Sequence, residues 1–556
     1  MADSLRRFLN FTAAVAGLFL VGGAAAPAVA DERPNIVVIL VDDMGFSDIG
    51  CYGSEINTPN LDRLAGDGLR FTQFYNNGRC CPTRASLLTG LHPHQVGIGH
   101  MTAPPDEPLK VEGPYQGFLI DNCVTIAQVL RDAGYHTLMT GKWHVGANSQ
   151  EVWPLQRGFD RYFGGLSGAF NYFRPGGNRG LTRGNESVKP GDDFYTTDAF
   201  TDEACRYISE ATEEDDRPFF LYLAYNAPHW PLNAKVADFE RYRGKYTGGW
   251  EPLMKARFAK QKELGLFGPE VEAAPHEGPE WDSLRPKRRD NLDAIMAAYA
   301  GCIDSIDQNI GKLYAHLESI GEADNTLILF LSDNGACQEG GRLGQGSEAM
   351  VRNPPPGVGG VHLGHAWANA CNTPFRLYKH FVHEGGMGTP FIAHWPAGMK
   401  DAQRGGFVRH AAYLPDVMAT CVELASATYP DAVPPCVGKS LAATIKGGDG
   451  VIHPEPLYWE HEGNAAVRWG DWKLVRRYEH PWELYDIAKD RTELHDLAEK
   501  ETAKRDELVA MWEAWATEHG VAFPKRFDMY QRLRELKEAK EKESQKQAAR
   551  PAAVNR

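Results

Sequence analysis

Basic charge is what this chain is short of: 59 Lys and Arg stand against 73 Asp and Glu, a formal net charge of −14. That balance argues against a nucleic-acid binder, and it means that an anionic ligand must be captured by local cations rather than by the overall field. Cysteine is sparse as well. Ten residues scattered over 556 do not make a disulfide-stapled scaffold, although export would permit an isolated bridge, for which Cys421 and Cys436 are the suggested pair. Internal repeats and long flexible linkers are lacking. Familiar motifs fall short in specific ways. His383-Glu384 has no second histidine four residues after the first, so it is not a zinc-protease helix. Gly165-Leu-Ser-Gly-Ala169 ends in alanine where a nucleophile elbow needs glycine. The run Gly357-Val-Gly-Gly lacks the spacing and strand context of a dinucleotide site. What is present, 43% hydrophobic and 24% charged residues, is the composition of an ordinary soluble globular protein with a large core.

Arg6 and Arg7 precede an apolar stretch from Phe8 to Val21 and a Gly/Ala/Pro run ending Ala28-Val-Ala30. This reads as a secretory signal over residues 1–30, cleaved before Asp31, with export to the periplasm or the medium. An uncleaved anchor is the alternative, since Phe11 to Ala30 is nearly long enough to span a bilayer. No stable membrane anchor is expected. Residues 31–450 then form a catalytic domain, 451–530 a small α+β subdomain and 531–556 a charged, frayed tail.

Several apolar runs of strand length end in polar residues. Asn35–Val41 is β-branched throughout its middle, as for a strand buried on both faces, and stops at Asp42-Asp43. His136–Thr140 leads to Lys142 and His144, Pro218–Ala224 to His229, and Thr326–Leu331 to Asp333-Asn334-Gly335. Helical stretches at Thr125–Ala133 and Ala294–Ile320 separate them, which predicts an α/β fold with one large, mostly parallel sheet. Ligands bind beyond the carboxyl ends of such strands, so the four polar clusters should meet at one edge. Cys337 to Asn372, rich in Gly and Pro, reads as a long loop over the site. After Gly450, Ala465–Trp469, Trp472–Arg476 and a helix at Lys500–His519 suggest a small antiparallel sheet with one packed helix.

Asp42, Asp43, Asp333 and Asn334 offer hard oxygens from two strand ends, which is ligand chemistry for Ca²⁺, with Mg²⁺ also allowed. Taken singly, such pairs are more often turn and cap residues. Cys80 precedes Pro82, which suits a first helical turn, so a helix over Thr83–Thr89 would put Cys80 at its positive end. Lys142, His144, His229 and Lys379 add cations and donors for an anion. His92 and His94 read as structural.

Cys80-Cys-Pro-Thr-Arg84 followed by Ala-Ser-Leu-Leu-Thr-Gly90 resembles the maturation signature of the type I, formylglycine-dependent sulfatases of the alkaline phosphatase superfamily. With Gly158-Phe-Asp160, the stretch Asn372-Thr-Pro-Phe-Arg376 to Gly386, and Trp482-Glu-Leu-Tyr-Asp486, the resemblance runs from about residue 33 to 500. It implies that a formylglycine-generating enzyme oxidises Cys80 to formylglycine (3-oxoalanine). It also implies that Asp42, Asp43, Asp333, Asn334 and an oxygen of the modified Cys80 bind Ca²⁺. Arg84 would hold the hydrated aldehyde and His144 would accept one of its protons. Lys142, His229 and Lys379 would bind the sulfate and assist the leaving group. The implied activity is arylsulfatase-like hydrolysis of aryl or carbohydrate sulfates, in two easier covalent steps. A phosphonate monoester or phosphodiester hydrolase shares the nucleophile. A silent binder of sulfated glycans follows if Cys80 stays a thiol. Leu91, where relatives often carry arginine, and Thr83, where serine is commoner, depart from the pattern. Specificity is expected in the loops 171–193, 242–288 and 337–372.

Overall fold

The computed structural model describes residues 33–102 and 113–522. The signal segment and the charged tail read from the sequence lie outside the described residues. Among these, no helix is long and apolar enough to cross a membrane.

In chain order the strands of the large sheet are β1 (Asn35–Val41), β2 (Leu69–Tyr75), β3 (His136–Lys142), β4 (Arg161–Gly165), β5 (Leu181–Arg183), β6 (Glu186–Val188), β7 (Phe219–Ala224), β8 (Thr326–Ser332), β9 (Gly388–His394), β10 (Gly406–Val408) and β11 (Ala412–Tyr413). They lie in the order β10-β2-β9-β8-β1-β7-β3-β4-β5-β6, with β11 beside β2. The centre, β8-β1-β7-β3-β4, is parallel throughout. The strand β9 runs antiparallel between β8 and β2, and β5 and β6 are antiparallel at the far edge.

The continuous apolar sequence of β1 is explained by its packing. Val37, Ile39 and Val41 enter one apolar cluster while Ile36, Val38 and Leu40 enter another on the opposite face. Each such buried side chain contributes about 1.5–3 kcal/mol. The first face is covered by the helices Thr196–Glu214 and Pro286–Ser319. The second is covered by Cys80–Thr89, Ile126–Asp132 and Pro415–Leu424. Thr125 starts its helix with a capping box to Gln128.

The second sheet is antiparallel: β12 (Leu457–His461), β13 (Asn464–Trp469), β14 (Trp472–Arg476) and β15 (Glu483–Asp486). The helix Thr502–Glu518 lays Leu508, Trp512 and Trp515 across one of its faces. The sheet's other face packs Leu457, Trp459, Ala466 and Val475 on Tyr75, Val382, Met387 and Tyr413, and an ionic cluster adds to that attachment. Lys473 Nζ lies 2.8 Å from Glu384 and 2.7 Å from Glu493, all three fully buried, and Arg491 adds a 2.7 Å contact to Glu384.

Four sequence expectations need correcting. The long helix begins at Pro286, well before Ala294, because proline tolerates the first helical position. The segment 337–372 is not all loop, since it carries the helices Glu348–Arg352 and His365–Cys371. The segments 171–193 and 242–288 are not all loop either, since they carry β5 and β6 and the helix Trp250–Glu263. Cys421 and Cys436 are both free thiols, and nearness in sequence is a poor guide to the side-chain approach a bridge needs.

Candidate active site

β1 and β8 pair in parallel with Val41 opposite Ser332, so the residues that follow each strand leave the sheet at the same edge. Asp42-Asp43 and Asp333-Asn334 are therefore forced together. Lys142 ends β3, with His144 two residues on, and His229 follows β7 through a cis Ala227–Pro228 bond. Lys379 comes from the chain before the turn at Glu384, and Cys80 opens its helix from the second face, with Arg79 extended as N-cap. The sequence expected that helix from Thr83; it begins at Cys80 itself, so the thiol sits in the first turn among unpaired amides.

The charged groups interlock. The Asp43 backbone N–H donates to Asp333 Oδ1 (3.2 Å), and Asn334 Nδ2 donates to Asp43 Oδ1 (2.7 Å). Lys379 Nζ lies 2.7 Å from Asp43 Oδ1, and His229 Nε2 lies 3.5 Å from Oδ2. Lys142 Nζ donates to Asp42 Oδ2 (2.5 Å). Arg84 Nη2 donates to Asp333 Oδ2 (2.8 Å), while its Nη1 donates to the Lys142 carbonyl (3.0 Å). Every one of the ten sequence-proposed site residues (Asp42, Asp43, Cys80, Arg84, Lys142, His144, His229, Asp333, Asn334 and Lys379) is drawn into this one buried cluster.

The donor set fits a hard divalent cation. Asp42 Oδ1 and Asn334 Oδ1 are buried with no hydrogen-bond partner, a costly condition that calls for an ion or water. Burial, reinforced by the Asp333 charge and opposed by Lys142 and Arg84, pushes the Asp42 carboxyl well above its usual range. Burial likewise raises Asp333, against Arg84. Neighbouring carboxylates in this state are what a dication would stabilise.

Around Cys80 the trend is reversed. The Cys81 thiol donating to its sulfur, against burial and with help from Lys142 and His144, holds Cys80 well below the usual thiol range. Cys81 moves the other way through burial and the adjacent Cys80. Burial lowers His144 to about 4 despite Cys80, leaving a neutral imidazole. His144 has a positive φ of 53°, and Gly168 presses on it: a Cβ there would fall 2.4 Å from its Nε2. Burial and then Lys379 push His229 well below its ordinary value. Burial works against the Lys379 ammonium, but Asp43, Cys337 and Glu339 together outweigh it and the pKa rises.

Sequence reasoning missed several partners. Tyr299, from the long helix, places its hydroxyl 3.0 Å from the Asp43 carbonyl and 2.7 Å from Asp48 Oδ2. Glu339 contacts Arg79 and Trp230 beside the centre. No local pattern marks either, because each acts through contacts long-range in sequence. His92 and His94 lie apart, as read: His92 packs on Trp515, and His94 pairs with Glu460 at 2.7 Å.

Comparison with known proteins identifies the family. The sulfatase family profile matches residues 34–424, and that of the N-sulphoglucosamine sulphohydrolase C-terminal region matches 375–514. An uncharacterised sulfatase of Schizosaccharomyces pombe is 34% identical over 88% of this chain and 94% of its own. The arylsulfatase of Klebsiella aerogenes is 36% identical over 69% of this chain and 85% of its own. The crystal structure of Ps i-CgsB superposes with TM-score 0.67 at 28% identity, covering 89% and 95% of the two chains. The fold is that of the alkaline phosphatase superfamily: a mostly parallel sheet between helices, with a small antiparallel sheet appended. Within it the chain belongs to the sulfatase family and is an enzyme of sulfate ester hydrolysis.

Proposed function

We propose that this enzyme is an exported, arylsulfatase-like sulfuric ester hydrolase whose nucleophile is formylglycine made from Cys80, and whose Asp42, Asp43, Asp333 and Asn334 hold Ca²⁺. The observation that carries the reading is Arg84. One buried guanidinium grips the metal-site carboxylate Asp333 and the Lys142 backbone from the turn after Cys80, coupling nucleophile to cation site. When formed and bound, the hydrated aldehyde supplies a hydroxyl nucleophile and the ion supplies Lewis acidity. The chain's own residues do the rest. His144, kept neutral by burial, is a base at neutral pH. Lys142 and Lys379 face the carboxylates from several sides and offer donors to sulfuryl oxygens and the departing alcohol, while His229, whose Nδ1 donates to the Trp230 carbonyl, offers its Nε2 as a donor when protonated. The segment 1–30, ending Ala28-Val-Ala30, supports export.

The test is peptide mass spectrometry of residue 80 in protein from its native host, paired with turnover of 4-nitrophenyl sulfate and a bis(4-nitrophenyl) phosphodiester. An aldehyde at 80 and preferred sulfate turnover are expected. An unmodified thiol would leave a sulfated-glycan binder, and preference for the diester would favour the phosphorus-ester reading.

A further inference from the structure

The reacting centre is closed: Cys80, Arg84, Lys142 and Lys379 are each 1% exposed or less. The alcohol part of a substrate must therefore rest on the half-buried side chains that border this centre. Glu339 is such a group, with its side chain 25% exposed. Its Oε1 lies 3.0 Å from Arg79 Nη2, beside Cys80, and its Oε2 accepts from Trp230 Nε1 at 2.5 Å, beside His229. Trp230 in turn stacks on His362 at 4.9 Å and 23° and lies 4.8 Å from the His229 ring. An aromatic wall thus runs outward from the centre, with an acid–guanidinium pair along it.

A carboxylate beside a sulfate site is costly for anion binding unless it serves the rest of the substrate. Burial disfavours the Glu339 charge, yet Lys379 and Arg79 hold its pKa at about 2, so it is an acceptor at every working pH. A carboxylate oxygen can accept more than one hydrogen bond. A hydroxyl-bearing ligand can donate to it, and a flat aryl group cannot. Apolar contact with the edge of this aromatic wall would serve a sugar ring or an aryl ring alike, so discrimination falls to the acid. A second sulfate or a carboxylate near it would meet like charge.

Resting on the sulfatase reading above, we propose that Arg79, Glu339, Trp230 and His362 form the alcohol subsite, and that it selects a neutral, hydroxyl-bearing sugar with a single sulfate over aryl sulfates and over sugars carrying a second anionic group.

The experiment compares kcat/KM of the matured full chain on three substrates: a monosulfated N-acetylhexosamine, glucosamine-2-N,6-O-disulfate and 4-nitrophenyl sulfate. The wild type should favour the monosulfated sugar over both others. Glu339→Gln should lower the ratio of monosulfated sugar to nitrophenyl sulfate by about 10- to 100-fold, mainly through KM, and raise the relative rate on the disulfate. A wild type that prefers the disulfate or the aryl ester overturns the subsite without any variant being needed. So does a Glu339→Gln enzyme that loses all three activities in equal proportion, or none. Failure of the wild type on every sulfate ester would instead sink the sulfatase reading.

Discussion

Asp333→Asn, measured with and without Ca²⁺, tests the cation site most directly. In the folded chain Asp333 Oδ2 is 2.8 Å from Arg84 Nη2, and both side chains are fully buried. Removing one partner of such a pair costs about 3–5 kcal/mol when nothing compensates. Here something does compensate, because Asp42 Oδ2 lies 3.6 Å from the same Arg84 nitrogen, and the Asp333 charge is a leading reason that Asp42 resists ionisation. Without a divalent ion, the neutral amide of the variant would relieve that repulsion and the net loss should be small, about 1–2 kcal/mol. With Ca²⁺ the balance changes. Ion at a hundred times its Kd stabilises the wild type by about 2.7 kcal/mol. For a chain of this length, with an unfolding entropy of about 1 kcal/mol/K, that is a rise in Tm of about 3 °C. Asp333→Asn, short of one anionic ligand, should bind Ca²⁺ about 100-fold more weakly and show little of that rise at the same concentration. Calorimetric titration and thermal melts in Ca²⁺ and in strong chelator read both quantities. A wild type whose melting and turnover ignore chelation, or a variant that binds Ca²⁺ as tightly as wild type, would refute the assignment.

Other outcomes follow from the same contacts. Cys80→Ala should abolish sulfate turnover while leaving the melting temperature near wild type, since the side chain is small and the helix around it remains; activity near wild type would exclude Cys80 as nucleophile. Gly168→Ala should cut kcat by about 100-fold, because its Cβ would stand 2.4 Å from His144 Nε2 and displace the ring; unchanged kcat would show that His144 tolerates another pose. His394, far from the site at the end of β9, is held at about 4 by burial. Its folded pKa lies below the unfolded value of about 6.5, so its contribution is present above about 6.5 and is lost as pH falls towards 4. Urea melts should lose up to about 3 kcal/mol more across that window in wild type than in His394→Gln, and equal losses would contradict the burial argument.

The legible part of the molecule is the part governed by short-range pattern. β1 could be read to the residue because a strand covered on both faces cannot alternate, and Thr125 with Gln128 announces a helix start in four residues. The parallel pairing of β1 with β8 then converts two separated Asp-containing pairs into neighbours, which is why strand-end grammar could point to one candidate ligand set. Resemblance supplied roles that spacing alone left open, above all for Cys80 and Lys379. What stayed hidden is long-range and ionic. Lys473, Glu384, Glu493 and Arg491 meet from separate segments to dock the small sheet, and nothing in any local window distinguishes them from solvated surface charges.

Glu339 shows why that blindness falls on specificity rather than on chemistry. The candidate metal ligands, Lys142, His144 and His229 follow strand ends, where backbone geometry fixes them and sequence period betrays them. Glu339 sits in a Gly-rich segment that sequence could describe only as loop, and it acquires a task solely because Arg79 and Trp230 arrive beside it. A loop can exchange such a residue without disturbing the sheet, so one scaffold can keep its sulfate chemistry while changing its alcohol. If that reasoning holds, grafting the 337–345 segment of a relative with different substrate preference should move the sugar-to-aryl ratio and leave the chelator sensitivity of turnover where it was. A graft that changed metal dependence together with preference would mean that centre and rim are not separable in this fold.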